Sequence, residues 1–350
     1  MSSRARGRGR RARPPSRRRP VLYVALASVA VVGATAAGTV YVKERAHPGS
    51  GAVVSSPAPS ASAPGNGEAS VEAVSRPAVD HDALLSDALD GVTLTGDQRV
   101  SAAVLDLDSG DSAAYGTAAF DTASIVKVDI LAALLLQAQD AGRQLTSAEK
   151  AYATAMIENS DNDSASALWR AIGTADGLDA ANKRFGLTDT QGGDGALWGL
   201  TQTTVADQLV LLGQVFGDGG GSRLSAASRA YLQGLMKNVE TDQRWGVSAA
   251  ADGSAWALKN GWLARSTTGL WDVNSIGRVT VGGTGYLVAV LSDGSTTQAE
   301  GISLVEAAAK AAVTVFTGDG SSATAPASAS ASPSASGSAS GSGTSARSGN

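Results

Sequence analysis

The chain has 350 residues, no Cys and only two His, and aromatic residues make up 5% of it. Without Cys there is no disulfide framework, no thiol nucleophile, no lipid attachment at a Cys and no thiolate metal site. His47 sits in a Pro/Ser-rich stretch and His81 opens the first helical pattern. A Ser-His-Asp triad or a zinc centre therefore cannot be assembled centrally. The globular part also lacks a G-x-S-x-G elbow, a Walker A loop and a Gly-rich βαβ fingerprint. No metal and no cofactor are expected. Any nucleophilic chemistry must use Lys or a carboxylate as its base.

Acid is missing from one place. Residues 1–20 carry nine Arg and no Asp or Glu, while the remaining 19 basic residues face 32 acids. The body is acidic, about −13, which excludes the basic footprint of a nucleic-acid binder. The basic tip precedes Val21–Val42, 22 residues without a charge, long enough to cross a bilayer core as a helix. The positive-inside rule leaves residues 1–20 in the cytoplasm and sends the rest outside. A single-pass membrane protein with an extracytoplasmic domain is expected; a cleaved signal peptide would instead secrete the same body. Residues 43–80 read as a flexible Pro/Ser/Ala spacer and residues 318–350 as a disordered Ser/Ala/Gly tail.

The globular part is expected over residues 81–317. A short helix from His81 ends at Gly91, and alternation predicts strands over Arg99–Leu107 and on to Tyr115 around an Asp108-Ser109-Gly110 turn. Thr122–Gln139 reads as a long helix, apolar on nearly every side. Thr146 and Glu149 form a capping box for the next, which ends near Asn159. Helical patterns follow at Ser164–Arg170, Ala175–Phe185, Thr203–Val215 and Ala226–Met236. From Ala255 the period becomes two, giving strands at Ala255–Trp262, Leu270–Val281 and Gly285–Leu291 before a closing helix over Thr297–Thr317. The fold class is α+β: early and late strands share one antiparallel sheet, flanked by helices, and the middle of the chain forms an all-helical lobe.

S-x-x-K occurs at Ser124–Lys127 and again at Ser147–Lys150. Capping and a solvated face account for the second copy. The first opens the apolar helix, where Ser124 and Lys127 are i,i+3 neighbours. Burial there lowers the pKa of Lys127, and a neutral amine beside a hydroxyl can take its proton. A capping Ser with a snorkelling Lys is the alternative. Two further polar groups follow: Glu158-Asn159-Ser160-Asp161-Asn162 at a helix end, and Lys259-Asn260-Gly261 on a strand.

In this order the three groups resemble the S-x-x-K, S-D-N and K-T-G motifs of serine β-lactamases and penicillin-binding proteins, with Asn260 in place of Thr. The approach Phe120-x-x-Ala123-Ser124 and the stretch Trp198–Thr204 resemble class A β-lactamases too, and the likeness spans residues 82–317. It implies an acyl-enzyme at Ser124, activated by Lys127. It implies a proton relay through Ser160 oriented by Lys259, and a substrate amide held by Asn162. Lys259 and Asn260, with Gly261 between them and Trp262, would meet a substrate carboxylate, with Arg265 as an additional charge. The N–H groups of Ser124 and Trp262 would form an oxyanion hole. One part of the pattern is missing: the loop Phe185–Thr201 has no Glu to activate a deacylating water, only Asp189 and Asp194. The resemblance thus implies a serine hydrolase acylated by β-lactams or related acyl peptides, with slow deacylation. A D-Ala-D-Ala carboxypeptidase and a non-turnover module that binds β-lactams or wall peptides remain open beside it.

Overall fold

The computed structural model describes residues 79–218 and 220–318. The basic tip, the 21–42 segment, nearly all of the 43–80 spacer and nearly all of the tail lie outside the described residues. Among the described residues, no helix is long and apolar enough to cross a membrane.

The chain enters through α1 (His81–Asp90), whose first turn is capped by the Asp80 carboxylate. Strands β1 (Arg99–Asp106) and β2 (Ser112–Tyr115) form a hairpin, followed by a two-residue strand β3 (Phe120–Asp121). A 3-10 turn, Ala123–Ile125, then leads into α2 (Val126–Asp140). The helical lobe continues with α3 (Ser147–Glu158), α4 (Asn162–Ile172) and α5 (Thr174–Phe185). After a loop, β4 (Gln202–Thr203) pairs with β3. Helices α6 (Val205–Phe216) and α7 (Ala226–Lys237) complete the lobe. Strands β5 (Trp256–Ala264), β6 (Trp271–Val281) and β7 (Thr284–Ser295) and helix α8 (Gln298–Thr317) close the chain.

The main sheet has the order β2-β1-β7-β6-β5, antiparallel throughout. The fold is the α+β arrangement expected, with the early hairpin paired to the last strand. β7 is central and apolar almost continuously because both of its faces are covered. Leu287, Ala289 and Leu291 face the helical lobe, whereas Tyr286, Val288 and Val290 pack toward α1 and α8. The same alternation runs through β5, where Ala257 joins the lobe side and Leu258 the α8 side. Lys259 and Gly261 therefore share the lobe side, and Asn260 and Trp262 the other.

α2 is the axis of the lobe, and its apolar surface is buried nearly all round. The expected helix over Thr122–Gln139 begins later than its apolar pattern suggests. Ala123 adopts φ +47, so the segment before Val126 is a tight turn instead of α-helix. The expected helix Ser164–Arg170 starts earlier, at Asn162, because the Asp161 carboxylate caps it by accepting from Ser164 N at 2.7 Å.

Candidate active site

Three separate pieces of chain converge at the lobe-side end of β5. The first is the Ala123–Ile125 turn, which presents Ser124 partly exposed while its neighbours Ala123 and Ile125 are buried. Two contacts hold the turn. Asn274, directly across the β5–β6 ladder from Gly261, donates its amide to the carbonyls of Asp121 (2.9 Å) and Thr122 (3.1 Å). Gly261 itself lies against the Ser124 backbone: a Cβ there would stand 2.7 Å from Ser124 N and 2.8 Å from Thr122 O. That spacing excludes any side chain, which is the physical reason for Gly at this point of the motif.

The second piece is Ser160-Asp161-Asn162, between α3 and α4. Each residue has a separate task. Ser160 takes a left-handed conformation, φ +56, which costs energy for a non-Gly residue and is held by its surroundings. Asp161 is the helix cap. Asn162, the first residue of α4, accepts from Lys127 Nζ at 2.8 Å.

The third piece is Lys259, fully buried on an edge strand. Its ammonium nitrogen donates to Ser160 Oγ (3.0 Å), to its neighbour's carbonyl at Asn260 (2.9 Å) and, at 3.5 Å, to Gln243 Oε1. Lys127 Nζ reaches Ser160 Oγ from the other side at 3.0 Å and the Ser160 carbonyl at 2.7 Å. One hydroxyl thus sits between two buried amines. Burial lowers the pKa of Lys127 from 10.5 to about 7, with the nearby Asp161 charge drawing it partly back up. Lys259 lies well below its ordinary value, first by burial and then by repulsion from Lys127. Two mutually repelling, poorly solvated amines favour neutral forms, and a neutral amine can accept a proton from a hydroxyl.

Some expected contacts are absent. Lys127 makes no hydrogen bond to Ser124 Oγ among the described residues; its contacts run to Ser160 and Asn162, and the tight turn removes the regular helical spacing. The Asn260 side chain does not face the cleft. It lies on the opposite side of β5, where its amide donates to the carbonyls of Gln243 (2.8 Å) and Trp245 (3.0 Å) and its oxygen accepts from Ser275. Strand alternation requires this once Lys259 points the other way. The Trp262 ring likewise packs on Trp245, 5.9 Å between centroids, although the residue lines the cleft. Arg265 pairs with Asp121 and approaches Asp272. β5 is the sheet's edge, so the N–H groups on its open side have no strand partner. The second S-x-x-K copy is a capping box, with Ser147 and Lys150 at the surface.

In front of Ser124 is a cleft of about 590 Å³. Its far wall is the end of the α5–β4 loop, Ala196–Leu200, and no carboxylate lines it. Asp189 and Asp194 are exposed on that loop and do not reach the cleft. Trp198 does. Its indole N–H donates to Ser166 Oγ at 3.1 Å, which orients the ring with its face 4.9 Å from Lys127 Nζ. Sequence reasoning placed Trp198 in the stretch that resembles class A enzymes but gave it no role, and it missed Ser166, Asn274 and Gln243. Only Asn274 left a signal, as a polar residue at an inward position of a buried strand.

Two buried lysines around a half-buried serine stand at the junction of an antiparallel sheet and a helical lobe, and that sheet-and-lobe arrangement is the fold of β-lactamases and penicillin-binding proteins. Residues 147–316 match the family model described as the Beta-lactamase enzyme family. PBP-A is similar in structure, with TM-score 0.58 and 21% identity over 67% of this chain and 96% of that one. A class A β-lactamase from Bacteroides cellulosilyticus gives 0.59 and 17%, over 69% and 100%. A β-lactamase from Xanthomonas campestris gives 0.53 and 21%, over 66% and 95%. No curated protein matches the chain by sequence. The family match and these neighbours support a β-lactamase-like serine hydrolase fold for the chain.

Proposed function

We propose that this chain is an extracytoplasmic serine acyl hydrolase, acylated at Ser124 by β-lactams or related acyl-peptide amides and released slowly. The observation that carries the reading is the Ser160 hydroxyl held between the Lys127 and Lys259 amines, with Asn162, bonded to Lys127, lining the same cleft as Ser124. In this scheme a neutral Lys127 takes the Ser124 proton, directly once substrate draws Ser124 inward or through Ser160. The Ser124 oxygen bonds to the substrate carbonyl carbon, and the C–N bond breaks as Ser160 hands its proton to the leaving nitrogen. Lys127, then protonated, returns that proton to Ser160. The developing oxyanion lies toward the N–H groups of Ser124 and Trp262. A variant of PBP-A has been solved as an acyl-enzyme complex with penicillin G, in keeping with this chemistry on the same fold.

Deacylation needs a water and a base. No carboxylate lines the cleft, and the group that stands over Lys127 is the Trp198 ring. This favours a long-lived acyl-enzyme and lends weight to the penicillin-binding reading, a D-Ala-D-Ala carboxypeptidase or an acylated sensor, over an efficient β-lactamase. An uncharged stretch over residues 21–42 after a basic tip supports a tether that keeps the domain at the outer membrane face, near wall peptides. Labelling with fluorescent penicillin, followed by a chase with unlabelled drug, tests the whole scheme. Label on wild type but not on Ser124→Ala, retained for hours, is the expected result. Loss within seconds would refute slow deacylation, and equal labelling of Ser124→Ala would remove the nucleophile.

A further inference from the structure

A separate cavity, about 390 Å³, lies at the start of β5, between the sheet and the C-terminal ends of α6 and α7. The cleft in front of Ser124 takes its wall from the far end of the same strand, and the two share no lining residue among the described ones. Phe216 and Lys237 reach the cavity from the helices, and Trp256, Arg278 and Thr280 from the sheet. Among the described residues, two cations line it and no Asp or Glu does, although acids outnumber bases in the chain, 32 to 28.

Arg278 is out of place there. It stands on β6 between Ala257 of β5 and Leu287 of β7, on the lobe side of the sheet, where Ala257, Ile276 and Leu287 are all apolar core. Its Nε is buried with no hydrogen-bond partner, and among the described residues its guanidinium forms no ion pair. Gly285 of β7 makes the room for it: a Cβ there would stand 2.8 Å from Arg278 Nη2 and 3.1 Å from Nε. The guanidinium thus lies against the β7 backbone and borders the cavity. The end of α6 does not use its charge, because Gln233 Nε2 donates to the Val215 carbonyl at 2.7 Å and Gly217 N to the Gly213 carbonyl at 3.0 Å. A buried donor without an acceptor costs free energy, and an oxyanion is the partner that a guanidinium fork fits best.

We propose that this cavity binds an oxyanion, a carboxylate or phosphate group carried on a small aromatic or apolar body, with Arg278 as its fork. Lys237, exposed at the end of α7, supplies a second positive charge. Thr280, two residues beyond Arg278 and so on the same side of β6, offers a hydroxyl donor. Phe216 and Trp256 give apolar wall to the rest of the ligand. The site is independent of any reaction at Ser124.

Calorimetric titration of the full-length protein with phenyl phosphate, benzoate and the neutral benzamide tests this. At least one of the two anions should bind and benzamide should not; the tighter anion tells a phosphate source from a carboxylate source. Arg278→Gln should weaken the anion by at least about tenfold, the scale of a charge-assisted hydrogen-bonded pair. Arg278→Lys keeps the charge without the fork and should fall between wild type and Arg278→Gln. Lys237→Gln changes an exposed position and should weaken binding by about threefold; it carries the test if circular dichroism shows Arg278→Gln to be unfolded, and unchanged affinity there would then count against the site. An anion that settles at the buried amines beside Ser160 would bind folded Arg278→Gln as tightly as wild type. That result, benzamide binding as tightly as benzoate, or no anion binding at millimolar concentration would each overturn the proposal.

Discussion

The charge state of Lys127 makes the most discriminating prediction. At its ordinary pKa of 10.5 the neutral amine would be a few parts in ten thousand at pH 7; at about 7 it is about half. Burial thus raises the population of competent base on the order of a thousandfold, equivalent to roughly 5 kcal/mol. The acylation rate constant should rise tenfold per pH unit from pH 5, bend near pH 7 and level off above it. The perturbation that tests the cause is Asp161→Asn. Asn caps a helix as well as Asp does, so α4 keeps its N-terminus. The lost charge is one that holds the Lys127 pKa up. The bend should therefore move to lower pH, by roughly half a unit for a partly screened neighbour. Rapid-quench labelling with fluorescent penicillin from pH 5 to 9 measures both profiles. A flat profile, a bend near 10, or a shift to higher pH in the variant would refute the neutral-amine argument.

Other consequences follow from the same geometry. Ser160→Ala removes the hydroxyl between the amines and should slow acylation by roughly 10²–10³-fold with the fold intact by circular dichroism. Gly261→Ala forces a methyl to within 2.7 Å of Ser124 N; acylation should drop by more than about tenfold and stability by about 1–3 kcal/mol in urea melts. Asp129 is buried in α2, its oxygens without a hydrogen bond, and burial pushes its pKa up from 3.8 to about 8. The folded state then holds a proton that the unfolded chain releases between about pH 4 and 8, so wild-type stability falls as pH rises through that window. Asp129→Asn should cancel this slope, gaining up to about 5 kcal/mol at pH 8 relative to pH 4 in urea melts.

Much of this architecture is legible in the sequence because it follows from periodicity. The switch from helical to alternating pattern after Ala255 and the Thr146/Glu149 capping box each have one local solution, and the structure adopts it. The groups gathered at the site were legible only in outline. Spacing brings Ser124 and Lys127 to one side of a helix, yet the left-handed Ala123 and the pull of Ser160 and Asn162 redirect the amine. Asn260 stands beside Lys259 in sequence but on the opposite face of β5, so alternation overrides motif analogy there. The stretch that begins at Trp198 is recognisable, but the position of its ring over Lys127 is not, because that depends on a loop whose path is set by distant contacts, such as Thr122 N to Thr201 O at 2.8 Å.

The closure of β1 by β7 has a consequence for when the protein can act. Arg99 and Asp293, paired across those strands, are 194 positions apart. β1 cannot find its central neighbour until almost the whole domain has been synthesised, and such non-local pairing makes folding slow. Lys259 and Gly261 are delivered to Ser124 by the same late strands. Every chain truncated before β7 should be inert, and acylation competence should appear in one step, as a timer of completed folding. A pulse-chase experiment that samples labelling by penicillin against chain length would register that step.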